Sequence, residues 1–223
     1  MSHVQRNHPP VKFSSLPDKS VTVSGDPEHP TITNNTNRTV IGYIIRRQEL
    51  MADGELQPKD TVVHNAIYPR QRGRKDPITI AAQSTGTVQT PGSGGTGAGI
   101  TTTSQGAVGI GAVYLDAVIF EDGEYTGPDP VDLMPIVAEA NNRQREALSA
   151  IVSNRKTRNL NLQETLKEQA AKNPNSNGHA DQLIAMNFRE LAAAPDPYAT
   201  AEMWLSHTPI LHPSRDYKKG ATK

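Results

Sequence analysis

Cysteine is absent from all 223 residues, which excludes disulfides, thiolate metal sites and cysteine nucleophiles but assigns no compartment. Aromatic residues make up only 4% of the chain and hydrophobic residues 35%. So few large apolar side chains do not bury the whole length, and 17 Gly with 17 Pro point the same way. No run approaches the roughly 18 apolar residues that a membrane-spanning helix needs. Charge of one sign is also missing, with 23 basic residues against 23 acidic ones. That balance argues against a nucleic-acid footprint or strong attraction to anionic membranes. The opening "MSHVQRNHPP" has no apolar stretch and reads without a signal peptide. A cytoplasmic protein and a secreted protein in mature form both fit.

What is present is organised. Residues 1–20 carry Pro9, Pro10 and Pro17 and little periodicity, so they read as an extended arm. "VTV" (Val21–Val23) and "TIT" (Thr31–Thr33) are short strands, separated by Gly25-Asp26-Pro27. In "TVIGYIIRR" (Thr39–Arg47) neither face is polar, which predicts a central strand covered on both sides. Asp53-Gly54 signals a turn, and Pro58 lies just before the next strand, "TVVHNAIY" (Thr61–Tyr68). "ITIAA" (Ile78–Ala82) reads as a further short strand. Residues 83–111 are rich in Gly, Ser and Thr and read as a flexible insertion. "AVYLDAVIFEDG" (Ala112–Gly123) is a long strand with two mostly apolar faces, interrupted by Asp116.

After Gly127-Pro128-Asp129-Pro130 the apolar period changes from two to 3.6. Val131–Arg155 predicts a helix with a stripe of Val137, Ala140, Ala147, Leu148 and Ile151, provided that Pro135 lies in its first turn. Further helices are expected over Leu160–Lys172, His179–Ala194 and Tyr198–Ser206, the last holding Trp204. The tail "DYKKGATK" reads as frayed. The domains are therefore an arm at 1–20, a β domain at 21–127, a helical region at 128–206 and a tail at 207–223.

Several motifs invite chemistry and do not carry it. "GSGGTG" (Gly92–Gly97) matches the dinucleotide fingerprint letter for letter. That fingerprint works only between a strand and a helix, whose N-terminus meets the pyrophosphate. Here neither flank qualifies, so the stretch reads as linker. Seven histidines are spread without a dense ligand spacing, and His207 and His212 do not share a helix face. Glu121, Asp122, Glu124 and Asp129 surround two glycines, which suits a turn better than a calcium loop of EF-hand spacing. "RQRGRK" (Arg70–Lys75) reads as a solvated loop. No catalytic, cofactor or metal residues are assigned.

Asp116 stands out because a carboxylate inside a two-sided apolar strand is costly unless paired. Arg46 or Arg47, at the end of the other central strand, is the expected partner. "NNTNRT" (Asn34–Thr39) holds two formal glycosylation sequons, at Asn34 and Asn37. Asn tolerates left-handed backbone and caps turns through its side chain, so the stretch reads as a strand-to-strand turn.

"ITNNTNRTVIGYII", "DGELQPKDTVV" and "LDAVIFEDGEYTGPD" together resemble immunoglobulin-like modules of secreted bacterial proteins of acidobacterial type. The resemblance spans about residues 21–130, and Lys59 departs from it where the modules have Gly after the Pro. It implies an antiparallel immunoglobulin-like β-sandwich with an interaction or structural role, and with the C-terminal helical region read from the apolar period the expected class is α+β. The expected function is thus a non-catalytic extracytoplasmic module, periplasmic or secreted, that binds a protein partner or self-associates. The arm is a candidate donor for strand addition. Two other classes stay open. One is an enzyme with a site around Asp116, His64 and Asp122, and the other a cytoplasmic adaptor that uses its C-terminal helices.

Overall fold

A computed structural model of the chain describes residues 10–65, 79–88, 106–157 and 179–217. Outside them lie the start of the arm, "RQRGRK", "GSGGTG", the helix expected at Leu160–Lys172 and the last six residues. The fold is α+β. Of the described residues, 10–65 and 79–118 make one compact unit, and 119–157 with 179–217 make a second.

The first unit contains two groups of strands. β1 (Lys12–Ser14), β4 (Val40–Met51), β5 (Leu56–Asn65) and β7 (Ala107–Phe120, which runs on into the second unit) belong to one sheet. β2 (Val21–Gly25), β3 (Pro30–Asn34) and β6 (Ser84–Thr87) form the other, in the order β2-β3-β6. β4 is central, between β5 and β7, as its two apolar faces predict. Tyr43 and Ile45 on one side and Val40 and Ile44 on the other are all buried.

The β4–β5 hairpin turns at Asp53-Gly54, where Gly54 takes a φ of 90° and Asp53 Oδ1 accepts from Glu55 N at 3.0 Å. Pro58 does not precede the strand but lies inside it. Among the described residues β5 pairs only with β4, and the register slips there, with Arg47 opposite Asp60 and Gln48 opposite Pro58. A residue without an N–H is tolerated at an edge and at a bulge.

The Gly/Ser/Thr-rich stretch is strand at both ends. β6 pairs with β3, and β7 begins at Ala107, before the Ala112 expected from composition. Ladder hydrogen bonds and two buried residues, Val88 and Ile110, override a polar, glycine-rich sequence there. The end of the arm is also ordered. β1 runs parallel to β7, with Phe13 opposite Val113, and Leu16 is buried behind it.

The second unit holds β8 (Glu124–Thr126), α1 (Leu133–Thr157), α2 (His179–Ala192), α3 (Pro197–His207) and β9 (His212–Pro213). Pro135 is the third residue of α1, where its missing N–H has no intrahelical acceptor to lose. α3 starts with Asp196 as cap, accepting from Ala199 N at 3.0 Å, followed by Pro197. Ala140, Leu148 and Ile151 from α1 meet Ile184, Phe188 and Leu191 from α2 and Trp204 from α3 in one core. Gln144 continues the α1 stripe between Ala140 and Leu148. It is buried, and its Oε1 accepts from Asn187 Nδ2 at 2.9 Å.

Candidate functional site

The neighbours Arg46 and Arg47 point to opposite faces of β4, because side chains alternate along a strand. Each meets its own acid. Arg46 Nε donates to Asp116 Oδ2 at 2.8 Å and Nη2 donates to Oδ1 at 3.2 Å, a two-point grip. Its guanidinium also lies over the Tyr114 ring, 4.4 Å from the centroid, and Tyr114 Oη donates to Gln48 Oε1. Asp116, buried on β7, is thereby paired as its place in the sequence requires.

Arg47 faces the other way and is buried. It donates from Nε to Asp60 Oδ1 at 2.8 Å and from Nη2 to Asp60 Oδ2, directly across the hairpin. Its Nη1 reaches the turn before β3, donating to Glu28 O at 3.1 Å and Glu28 Oε2 at 3.2 Å. Burial lowers the affinity of a guanidinium for its proton. The hydrogen bond and charge of Asp60, with help from Glu28, outweigh that and hold Arg47 above its ordinary pKa. Lys59, the bulged residue, turns toward the same side and bridges Glu49 at 3.4 Å and Glu28 at 3.5 Å.

The two asparagines of the turn divide. Asn34 is fully buried. Its Nδ2 donates to the carbonyls of Arg38, Ile80 and Ala81, and its Oδ1 accepts from Thr36 N and Thr36 Oγ1. Such a side chain fastens the β3–β4 turn to the segment before β6 and presents nothing to a sugar. Asn37 is exposed in the bend. The stretch is the strand connection that its composition predicts.

His64 stacks on Tyr43, opposite it in the hairpin, with ring centroids 4.7 Å apart. Tyr43 lies three residues from Arg46, so this pair and Asp116 occupy opposite faces of the sheet. The structure does not bring His64 and Asp116 together. His207 turns back on its own helix, Nδ1 to Met203 O at 2.8 Å. Among the described residues no group of three or more His, Asp or Glu is placed to hold a metal ion.

In the second unit the acidic turn splits. Asp122 closes the β7–β8 turn by accepting from Glu124 N at 3.1 Å. Asp129 departs to cap α1, with Oδ1 accepting from Leu133 N at 3.0 Å and Oδ2 from Met134 N at 2.8 Å. Asp129 Oδ2 also accepts from Tyr217 Oη at 2.9 Å. The chain is therefore anchored as far as Tyr217, and the rest of the stretch expected to fray, residues 218–223, lies outside the described residues. Tyr217 packs edge-on against Tyr125, with centroids 5.0 Å apart. Burial, and then the Asp129 carboxylate, raise the pKa of both phenols.

Sequence reasoning did not reach Asp60, Glu28, Tyr217 or Asn142, whose side-chain amide bonds both Leu211 N and Leu211 O. A signal existed for Asp60: it shares a face of β5 with Val62 and His64, and Pro58 marks the bulge. Asp129 had one too, standing four residues before the first helical residue. Tyr217 had none, because its partner lies 88 positions away.

No protein-family model, curated protein or solved structure matches the chain.

Proposed function

We propose that the chain is a non-catalytic extracytoplasmic module with an immunoglobulin-like β-sandwich, which works through contacts with a protein partner or with copies of itself. One observation carries this reading: the arm ends in β1, a three-residue strand laid parallel along β7. An edge that accepts an extended segment from its own chain has the hydrogen-bonding geometry that strand-addition partners use. The antiparallel β4–β5 hairpin and the antiparallel β2-β3-β6 sheet support the sandwich reading. The grip of Arg46 on both oxygens of Asp116 supports a structural part for that carboxylate, since both of its oxygens are already engaged.

Light scattering of the full chain over a wide concentration range tests the reading. A mass above the 24.1 kDa monomer is expected at high concentration. It should fall to the monomer when residues 1–14 are removed, which spares the buried Leu16. A monomer throughout, with unchanged stability in both forms, defeats arm-mediated strand addition.

A further inference from the structure

An amide pair crosses the apolar core shared by α1, α2 and α3. Gln144 stands on α1 between Ala140 and Leu148, and Asn187 stands on α2 between Ile184 and Leu191. Gln144 is 1% exposed. Its Oε1 accepts from Asn187 Nδ2 at 2.9 Å, which ties α1 to α2. Its Nε2 is buried as well and has no hydrogen-bond partner among the described residues. A donor left unmet in a core costs more than one neutral hydrogen bond contributes. An apolar side chain of the same size would therefore hold the helices together at least as well. Stability does not account for Gln144.

Its place in the pattern does. Val137, Ala140, Gln144, Leu148 and Ile151 recur at intervals of three and four, and Gln144 takes the place of an apolar member. Ile184, Phe188 and Leu191 recur in the same way on α2. Two such stripes pack in more than one register. Sliding α2 by one turn sets apolar against apolar again, and side-chain shape alone separates the arrangements weakly. The amide pair separates them by hydrogen bonding. One turn of slide brings Leu191 in one direction, or Ile184 in the other, to where Asn187 stands. Gln144 Oε1 would then be buried without a donor, in addition to Nε2.

We infer that the Gln144–Asn187 pair sets the register of α2 on α1 and lowers stability in doing so. A single polar residue in an apolar helix seam specifies register by the same means. α3 follows α2 after only four residues, so the register of α2 also places α3 and its Trp204. The pair lies in the second unit, and its role does not depend on the arm or on any partner.

Amide NMR and denaturant unfolding of full-length chains test this. In the native chain the amides of α2 should give one sharp set of signals, and two sets would overturn a fixed register. Gln144→Met/Asn187→Leu replaces both amides by apolar groups of similar size. Its unfolding constant should be no higher than that of the native chain, and lower by up to about tenfold. Its α2 amides should give two sets of signals, or signals broadened by exchange, while those of β4 and β5 keep one sharp set. The swap Gln144→Asn/Asn187→Gln keeps an amide pair of the same total length and should restore a single set. One sharp set in the apolar variant overturns the register role whatever its stability. An apolar variant less stable than the native chain, or unable to fold, overturns it too, because the pair would then serve stability. Two sets from the swap also overturn it, since the hydrogen bond would not be what selects the register.

Discussion

The two units bury polar groups of different kinds. On the β4–β5 and β4–β7 ladders of the first, charge meets charge: Arg46 with Asp116, Arg47 with Asp60 and Glu28, and Lys59 with Glu49. Its buried amide, Asn34, stands at the end of β3 and bonds the main chain of the turn instead. In the second, the side chains of Asn141, Asn142 and Asp129 meet main-chain N–H and C=O groups. The difference follows from what each architecture leaves unsatisfied. A sheet satisfies its own main chain, so a polar side chain buried on it must find another side chain across the ladder. Helix ends and the irregular segment after α3 leave main-chain groups over, and a short amide or carboxylate completes them.

The contrast predicts unequal sensitivity. Asp60→Ala leaves Arg47 charged and buried without its main partner, and should cost about 3–5 kcal/mol, read by denaturant unfolding. Hydrogen exchange should show the loss at amides of β4 and β5 and not at those of α1. Replacing the pair together, Arg47→Met with Asp60→Leu, should restore most of that stability, because the cost belongs to the lone charge. If the single and double variants are equally unstable, the charge pairing of the first unit does not have the importance given to it here.

Asp129→Asn should have a smaller effect, about 1–3 kcal/mol, since Asn keeps one acceptor and tolerates the left-handed backbone at this position (φ 32°). Its exchange signature should appear at the first turn of α1 and in the segment that ends at Tyr217. A signature confined to the first unit would break the comparison.

The smallest effect is alkaline. Tyr125 and Tyr217 hold their protons more tightly in the folded chain than in the unfolded one. Their stabilisation is complete below the unfolded value of about 10 and is lost as pH rises from there through the folded values. Thermal unfolding between about pH 9 and 11 should therefore show declining stability, with a shallower slope in Tyr217→Phe. An unchanged slope would mean that the phenol of Tyr217 does not carry the effect.

How much of this was readable depends on distance along the chain. The conflict at Asp116 was visible because alternation in β7 places a charge among apolar neighbours, and Arg46 or Arg47 was the expected partner. β4 runs on to Met51, so these arginines lie in mid-strand and not at its end as expected. Which of the two it was depended on strand facing, which places Arg46 and not Arg47 toward β7's Asp116. The helices α1, α2 and α3 were readable from their stripes and from Pro135. β6 was not, because "STGT" has no apolar alternation and exists as a strand only by pairing with β3.

The sequence by itself determined the strands with two apolar faces, the turn at Asn34–Thr39, the described helices α1, α2 and α3 and the absence of thiol chemistry, since each follows from residue type and spacing over a few positions. Tertiary structure decided the rest: the partners of Arg46 and Arg47, the strand in the polar tract, and the anchoring of the tail through Asn142 and Tyr217. Those depend on groups 13 to 88 positions apart being brought within hydrogen-bond reach, and no local pattern encodes such a meeting.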